Sequence, residues 1–412
     1  MKQIFSLILL AVLTLSCTTQ QEQNTDEGDV LKFITTRLDH TLETSQDSTK
    51  IPRTIDENGE LVTVDQYSWT SGFFPGNMWY MYELTGEDRW KTEAIKRTEA
   101  LDTIQYWTGN HDVGFMIYCS YGNGLKFGDQ DPYEEVIVQT AESLSARFDE
   151  TTKALKSWNK FNAWDGSVWD YPVIIDNMMN LELMFEASLL SGNQKYKDIA
   201  IQHAETTMQN HYREDYSSYH VVNYDTISGE VLSKKTAQGF ADESSWARGQ
   251  AWGLYGFTLC YRYTKDEKYL AFAENIASYI INHPNLPEDG IPFWDYQANS
   301  PDLQPEWEYN EADFTTIPRD ASAAAITASA LYELSEYSDQ KAEFLKAAEH
   351  ILTSLQSNAY MDDKSENKFF ILDHSVGSIP HGVEIDVPLV YADYYFLEAL
   401  YRQREMTSKD QS

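Results

Sequence analysis

A helical hairpin recurs along this chain, and that repeat constrains the fold more than any other feature. Four stretches share one layout: an apolar helix, a short polar turn, then a second helix rich in Ala, Lys and Glu. They cover residues 73–103 with GEDRW in the turn, 177–209 with GNQKY, 245–282 with KDEKY and 321–356 with SDQKA. A looser copy covers 115–147, with DPY at its turn. A sixth is split between the ends, pairing 391–403 with 30–42. The apolar spacing is helical: Ala251, Leu254, Tyr255 and Thr258 fall at i, i+3, i+4 and i+7. Repeats of roughly 45–75 residues with one helix pair each fit a solenoid or a toroid. A pair split across the two ends would close a ring, which favours the toroid. The expectation is therefore all-α, with inner helices that are apolar or aromatic and loops at one end that form a pocket.

The ends read differently from the repeat. Lys2, the apolar run 4–15 and Ser16-Cys17 resemble a bacterial lipoprotein signal, although Thr14 stands where such signals favour Leu. The expected organisation is a signal over 1–17 with lipidation at Cys17, a polar tether over 18–29, a single domain over 30–405 and a tail over 406–412. The chain would then be exported to the periplasm or cell envelope and meet a membrane only through a lipid anchor. Cys119 and Cys260 remain after processing, too few for a disulfide framework, and read as buried free thiols. With 65 acidic against 31 basic residues the formal net charge is −34, which argues against nucleic acid as a partner. An anionic small ligand would need local positive groups against that background. Oligomeric state is not legible.

Long loops rich in Trp, Gly, Pro and His separate the hairpins, and functional residues concentrate in such loops. The densest is QGFADESSWARGQAW, 238–252. It combines Gln238, Trp246, Arg248 and Trp252: aromatic faces for a sugar ring, a guanidinium for a carboxylate, amides for hydroxyls. Arg248 and Trp252 share one helical face, with Ser244 or Ser245 as the expected cap. The bland alternative is an exposed arginine paired with Asp242 or Glu243. Asp112, in NHDVGF, reads as either a turn residue or a catalytic acid. Asp176 faces two opposed influences. A helix N-terminus favours its charged form, whereas burial among Trp164, Trp169, Tyr171 and methionines disfavours it. His220, taken alone, is more often structural than catalytic. No metal-ligand spacing, nucleotide-binding glycine pattern or GxSxG elbow is present, so no cofactor is expected.

At these residues the chain resembles glycoside hydrolase family 88, the unsaturated β-glucuronyl hydrolases. SWTSGFFPG (68–76), HDVGF (111–115), IIDNMMNLELMF (174–185), QGFADESSWARGQAWGLYGF (238–257) and YADYYFLEAL (391–400) carry the resemblance across most of the mature chain. It implies an (α/α)6 barrel, Asp176 as general acid/base and Asp112 as the second essential carboxylate. It also implies an unsaturated uronate held by Trp69, His220, Gln238, Trp246, Arg248 and Trp252. Ser375 and Ser378 match two positions of a Ser-x-x-Ser-x-Lys pattern, but Pro380 replaces its Lys. Ala237 likewise stands where relatives often have His. The missing Lys weakens a sulfated-glycosaminoglycan assignment, and Ala237 puts one substrate contact in question.

The implied partners are unsaturated uronate oligosaccharides made by polysaccharide lyases. The implied reaction hydrates the C4=C5 vinyl ether and so releases the unsaturated uronic acid from the non-reducing end. Two alternatives stand beside it: an unsaturated rhamnogalacturonyl hydrolase of the same fold, and a non-catalytic surface glycan-binding lipoprotein.

Overall fold

The computed structural model describes residues 27–410, so the expected signal and Cys17 lie outside the described residues. Within it, thirteen helices follow in order: α1 (Glu27–Thr44), α2 (Phe73–Thr85), α3 (Asp88–Glu99), α4 (Val113–Ile117), α5 (Asn123–Gly128), α6 (Tyr133–Ser145), α7 (Leu181–Ser191), α8 (Gln194–Asn210), α9 (Ala247–Thr264), α10 (Glu267–Ile281), α11 (Ala321–Ser335), α12 (Lys341–Leu355) and α13 (Val390–Asp410). In space α2, α4 with α5, α7, α9, α11 and α13 neighbour one another in turn, and α13 returns to α2. The six-hairpin ring is closed: this is the (α/α)6 barrel.

The turn residues of the repeat explain how each hairpin reverses. α2 and α7 end on Gly86 and Gly192, both left-handed with φ near 70°, a conformation that suits a residue without Cβ. The outer helices α8 and α10 then start on Asn193 and Asp266, whose side chains accept the backbone N–H groups of Lys195 and Lys268. Hydrophobic patterning divides the layers. Every residue of α11 is buried, and its many alanines let it pack closely between α9 and α13. α10 buries only one stripe, Tyr269, Leu270, Ala273, Ile276, Ala277 and Ile280, as an outer helix with one wet face should. Cys119 and Cys260 are free and buried, as expected.

Three expectations need correction. The fifth inner arm is not one helix. α4 passes through a π turn at Tyr118–Gly122 into α5, where Gly124 and Gly128 sit so close to Tyr133 and Trp79 that a Cβ would overlap them. The stretch assigned to a tether is already helical from Glu27, and the stretch assigned to a tail continues α13 to Asp410. Lys409 holds that last turn to Glu336 of the α11–α12 turn at 2.7 Å. Small antiparallel sheets, unmarked by the helical pattern, also fill the loops. The largest pairs Pro172–Ile174 with Val221–Tyr224 and Val231–Lys235.

Each hairpin runs inner helix first, apart from the split one. The inner helices are therefore parallel and present their N-terminal ends to one side. That end carries the long loops.

Candidate active site

Asp176 is placed by a strand that stops. Ile174 pairs with Val221, and the next backbone N–H, of Ile175, donates to the His220 carbonyl at 3.0 Å. The chain then tightens into a 3-10 turn, Ile175–Asn180, that leads into α7. His220 and Asp176 thus come side by side from opposite strand ends, with His220 Nε2 3.8 Å from Asp176 Oδ2. That oxygen is buried without a hydrogen bond. The side chain is 13% exposed, and burial lifts its pKa from 3.8 to about 7, against the opposing pull of Arg248. Burial therefore outweighs the turn's N-terminal field, and the carboxyl can hold a proton at neutral pH.

The tautomer of His220 follows from its partners. Its Nδ1 accepts two backbone N–H groups, from Ala237 at 3.0 Å and Gln238 at 3.1 Å. Nδ1 then carries a lone pair, so the hydrogen sits on Nε2, facing Asp176. Burial holds the ring neutral, far below its ordinary pKa. The departure at Ala237 acts here through its backbone, which any residue would supply.

Asp112 precedes α4 and does not cap it with its side chain. Its carboxyl, 14% exposed, is likewise raised by burial to about 7. Trp69 packs edge-on against Phe115, and Phe115 against Trp252. Trp252 is fully buried, and its indole N–H favours the Asp176 carboxylate without forming a hydrogen bond of ordinary geometry. Trp246 lies with its ring centroid 4.7 Å from that of His220. Gln238 donates its amide to the Gly377 carbonyl at 3.3 Å. The structure thus brings Asp176, His220, Gln238, Trp246, Arg248 and Trp252 together, with Trp69 joined to them through Phe115.

Arg248 is neither exposed nor paired with Asp242 or Glu243. It is buried, with Nη1 3.1 Å from Asp320, while Asp242 instead binds Lys235. Nη1 also reaches the Val376 carbonyl, and Nη2 donates to that of Gly377 at 2.7 Å. Only Nε lacks a partner. Its Cζ lies 4.4 Å from the Trp246 ring centroid. The expected serine cap is also absent. Trp246 occupies the N-cap of α9, Ser244 donates to Asp295, and Ser245 donates to Gln250.

Ser375 and Ser378 lie on the strand that Arg248 grips. The Ser375 hydroxyl is buried and unpartnered, while Ser378 meets His381 Nδ1 at 2.7 Å. Beside His220, loop 157–172 supplies a wall of stacked rings: Trp158 on Phe161 and Phe161 on Trp169. The aromatic density of that loop signalled the wall and Trp169 was expected to help bury Asp176, whereas nothing singled out Trp158 and Phe161. Asp320 and Tyr391, which flank Arg248, went unmarked for the same reason.

Unpartnered buried donors and acceptors gather here: Asp176 Oδ2, His220 Nε2, Trp246 Nε1, Arg248 Nε and Trp252 Nε1. Buried polar groups ordinarily find partners, so such a cluster suits a ligand rich in hydroxyls and charge. The opposite end of the ring behaves differently. A cavity of about 470 Å³ there is lined by charges that already satisfy one another, Arg262 with Glu182 and Glu333, and Arg402 with Glu333 and Glu398.

Comparison with known proteins fits this geometry. An unsaturated glucuronyl hydrolase of Formosa agariphila is 44% identical over 99% of this chain and its own full length. An unsaturated chondroitin disaccharide hydrolase of Streptococcus pneumoniae is 30% identical over 91% of each chain. A solved unsaturated glucuronyl hydrolase specific for heparin superposes with a TM-score of 0.83 at 45% identity, covering 92% of this chain and 98% of its own. No family model matches the chain.

Proposed function

The chain belongs to the unsaturated glucuronyl hydrolases, glycosidases of family 88, and we propose that Asp176 performs both proton transfers of their reaction here. The substrate carries a C4=C5 bond that is part of a vinyl ether. Protonated Asp176 gives its proton to C4, and positive charge spreads over C5 and the ring oxygen. The resulting carboxylate then takes a proton from water as that water's oxygen bonds to C5. The hemiketal so formed opens, and the neighbouring sugar leaves from the anomeric carbon. One carboxyl serves as acid and then base, so the usual spacing of two glycosidase carboxylates does not predict the stereochemistry.

The observation that carries this reading is the Asp176 carboxyl: buried, free of hydrogen bonds at Oδ2, and raised to about 7. A group with pKa near the working pH exchanges protons most effectively. His220 directs its Nε2–H at the same oxygen and stabilises the carboxylate left after the first transfer. Arg248 adds positive charge as a fixed element tied to Asp320. The aromatic wall and Gln238 border the space for the departing sugar.

For that sugar, Pro380 stands in place of Lys and burial lowers the pKa of the neighbouring His381, so neither supplies a cation to a sulfate at Ser378. This favours an unsulfated sugar after the uronate. Loss of alkene absorbance across a panel of lyase-made disaccharides tests both points. The assignment fails if no member is consumed, and the preference fails if sulfated members are consumed faster. A panel that includes rhamnose-linked uronates separates the rhamnogalacturonyl alternative. We further infer from the amino-terminal sequence that the enzyme is exported and anchored by lipid at Cys17.

A further inference from the structure

His111, next to Asp112 in sequence, is fully buried and takes no part in those proton transfers. Its partners come from the turn that carries Asp176. The Asn180 side chain accepts the Phe115 backbone N–H through Oδ1 at 3.1 Å, which fixes Nδ2 as its donor end. Nδ2 then donates to Asn177 Oδ1 at 2.9 Å and meets His111 Nδ1 at 3.1 Å. The Asn177 amide is fixed in turn by donating to the Leu155 carbonyl at 2.7 Å. No slack remains at Asn180, since a Cβ on Gly114 would overlap its side chain. His111 Nδ1 must therefore accept, and its hydrogen sits on Nε2. That atom has no hydrogen bond of ordinary geometry and stands 3.2 Å from Asp112 Oδ1.

We propose that His111 is a positioning residue for Asp112: the Asn177–Asn180 amide pair locks it as the Nε2–H tautomer, which presents a neutral donor to the Asp112 carboxylate. The arrangement repeats that of His220 and Asp176, where backbone N–H groups do the locking. Asn177 follows Asp176 directly, so one 3-10 turn orients both carboxyls, its own through the backbone and Asp112 through the imidazole. A donor at that distance favours the charged form of Asp112, against the burial that disfavours it. The other ionisable groups around this pair are Arg147, which acts on both members, and Asp176, whose pKa Asp112 raises. The buried rings of His203 and His220 also feel His111. His111 itself stays neutral through the working range, because burial lowers its pKa to about 3.

The role depends on the proposed function only for its activity readout, so the experiment has two arms. In the first, enzyme labelled with ¹⁵N in histidine is examined by long-range ring correlation, with His111 assigned from its loss in His111→Gln. The expected pattern is hydrogen on Nε2 and no titration above pH 5. Hydrogen on Nδ1, or a ring that charges between pH 5 and 7, overturns the proposal whatever the enzyme's substrate. In the second arm, His111→Gln, which can place an amide N–H near the Nε2 position, is compared with His111→Leu. The glutamine variant should keep kcat within about tenfold of wild type. The leucine variant should lose about a hundredfold or more in kcat with KM within threefold, and its acidic limb should move up by about one pH unit. Equal losses in the two folded variants with an unmoved acidic limb would leave His111 a packing residue and overturn the proposal. A wild-type enzyme inert on every unsaturated uronate would instead count against the functional reading and leave the first arm standing.

Discussion

Replacing Asp176 with Asn should make the folded protein more stable at alkaline pH while abolishing turnover. The carboxyl's pKa rises from 3.8 to about 7 on folding because the site buries it. A carboxyl raised in this way is no burden below pH 3.8, where it is protonated in both states. Stability is then lost as pH rises from 3.8 to 7, since the unfolded chain ionises first, and the loss is complete above 7. A tenfold difference in proton affinity between the folded and unfolded states is worth about 1.4 kcal/mol, so at pH 8 the ionised site costs up to about 4 kcal/mol. Asp112 titrates in the same range and repels it, and dividing the cost between the two carboxyls lowers the expectation to about 2–4 kcal/mol. Asparagine has the same shape and never ionises. Urea unfolding of both proteins at pH 8 and pH 4.5 should show the variant ahead by that margin at pH 8 and by only about 1 kcal/mol at pH 4.5. A variant less stable at pH 8, or one whose gain is the same at both pH values, would refute the burial argument. Function and stability then conflict at a named atom, as they commonly do at active sites.

Other outcomes follow from the same geometry. Because Asp176 and Asp112 both lie near 7 and interact, kcat/KM should trace a narrow bell centred close to neutrality, its limbs belonging to the pair. A plateau from pH 5 to 9 would contradict it. Arg248→Leu should cost about 3–5 kcal/mol in urea unfolding, since it strands buried Asp320, and Arg248→Leu with Asp320→Leu should recover much of that loss. Cys17→Ala should abolish labelling by a radioactive fatty acid and release the enzyme from membranes; labelling that persists would place the lipid elsewhere or exclude it.

How much of this was legible in the sequence depended on the range of the interaction involved. Hairpins announced themselves because apolar spacing and turn residues such as Gly192-Asn193 act within a few residues. The site's membership was readable through Asp112, Asp176 and the 238–252 stretch. What stayed hidden was contact between residues distant in sequence. The Asp320 partner of Arg248 lies 72 residues away, and the strand it holds nearly twice that. The opposed influences on Asp176 could be named but not weighed, because burial is a property of the closed ring. His111 was in view inside HDVGF, yet its role depends on an amide 69 residues further on.

The split hairpin also bears on how the protein comes to exist at all. Arg37 of α1 donates to the Asn367 and Asp362 carbonyls, Thr41 to that of Phe369, and Tyr80 of α2 meets Glu398 of α13 at 2.8 Å. These partners are separated by more than 300 residues. During synthesis the first helix must wait, its apolar stripe uncovered, until nearly the last residue has left the ribosome. Contacts so distant in sequence slow folding and lengthen exposure to aggregation. A polypeptide stopped short by a few dozen residues would have no edge against which to close. Ring closure thus acts as a completeness check, favouring full-length copies over prematurely ended ones.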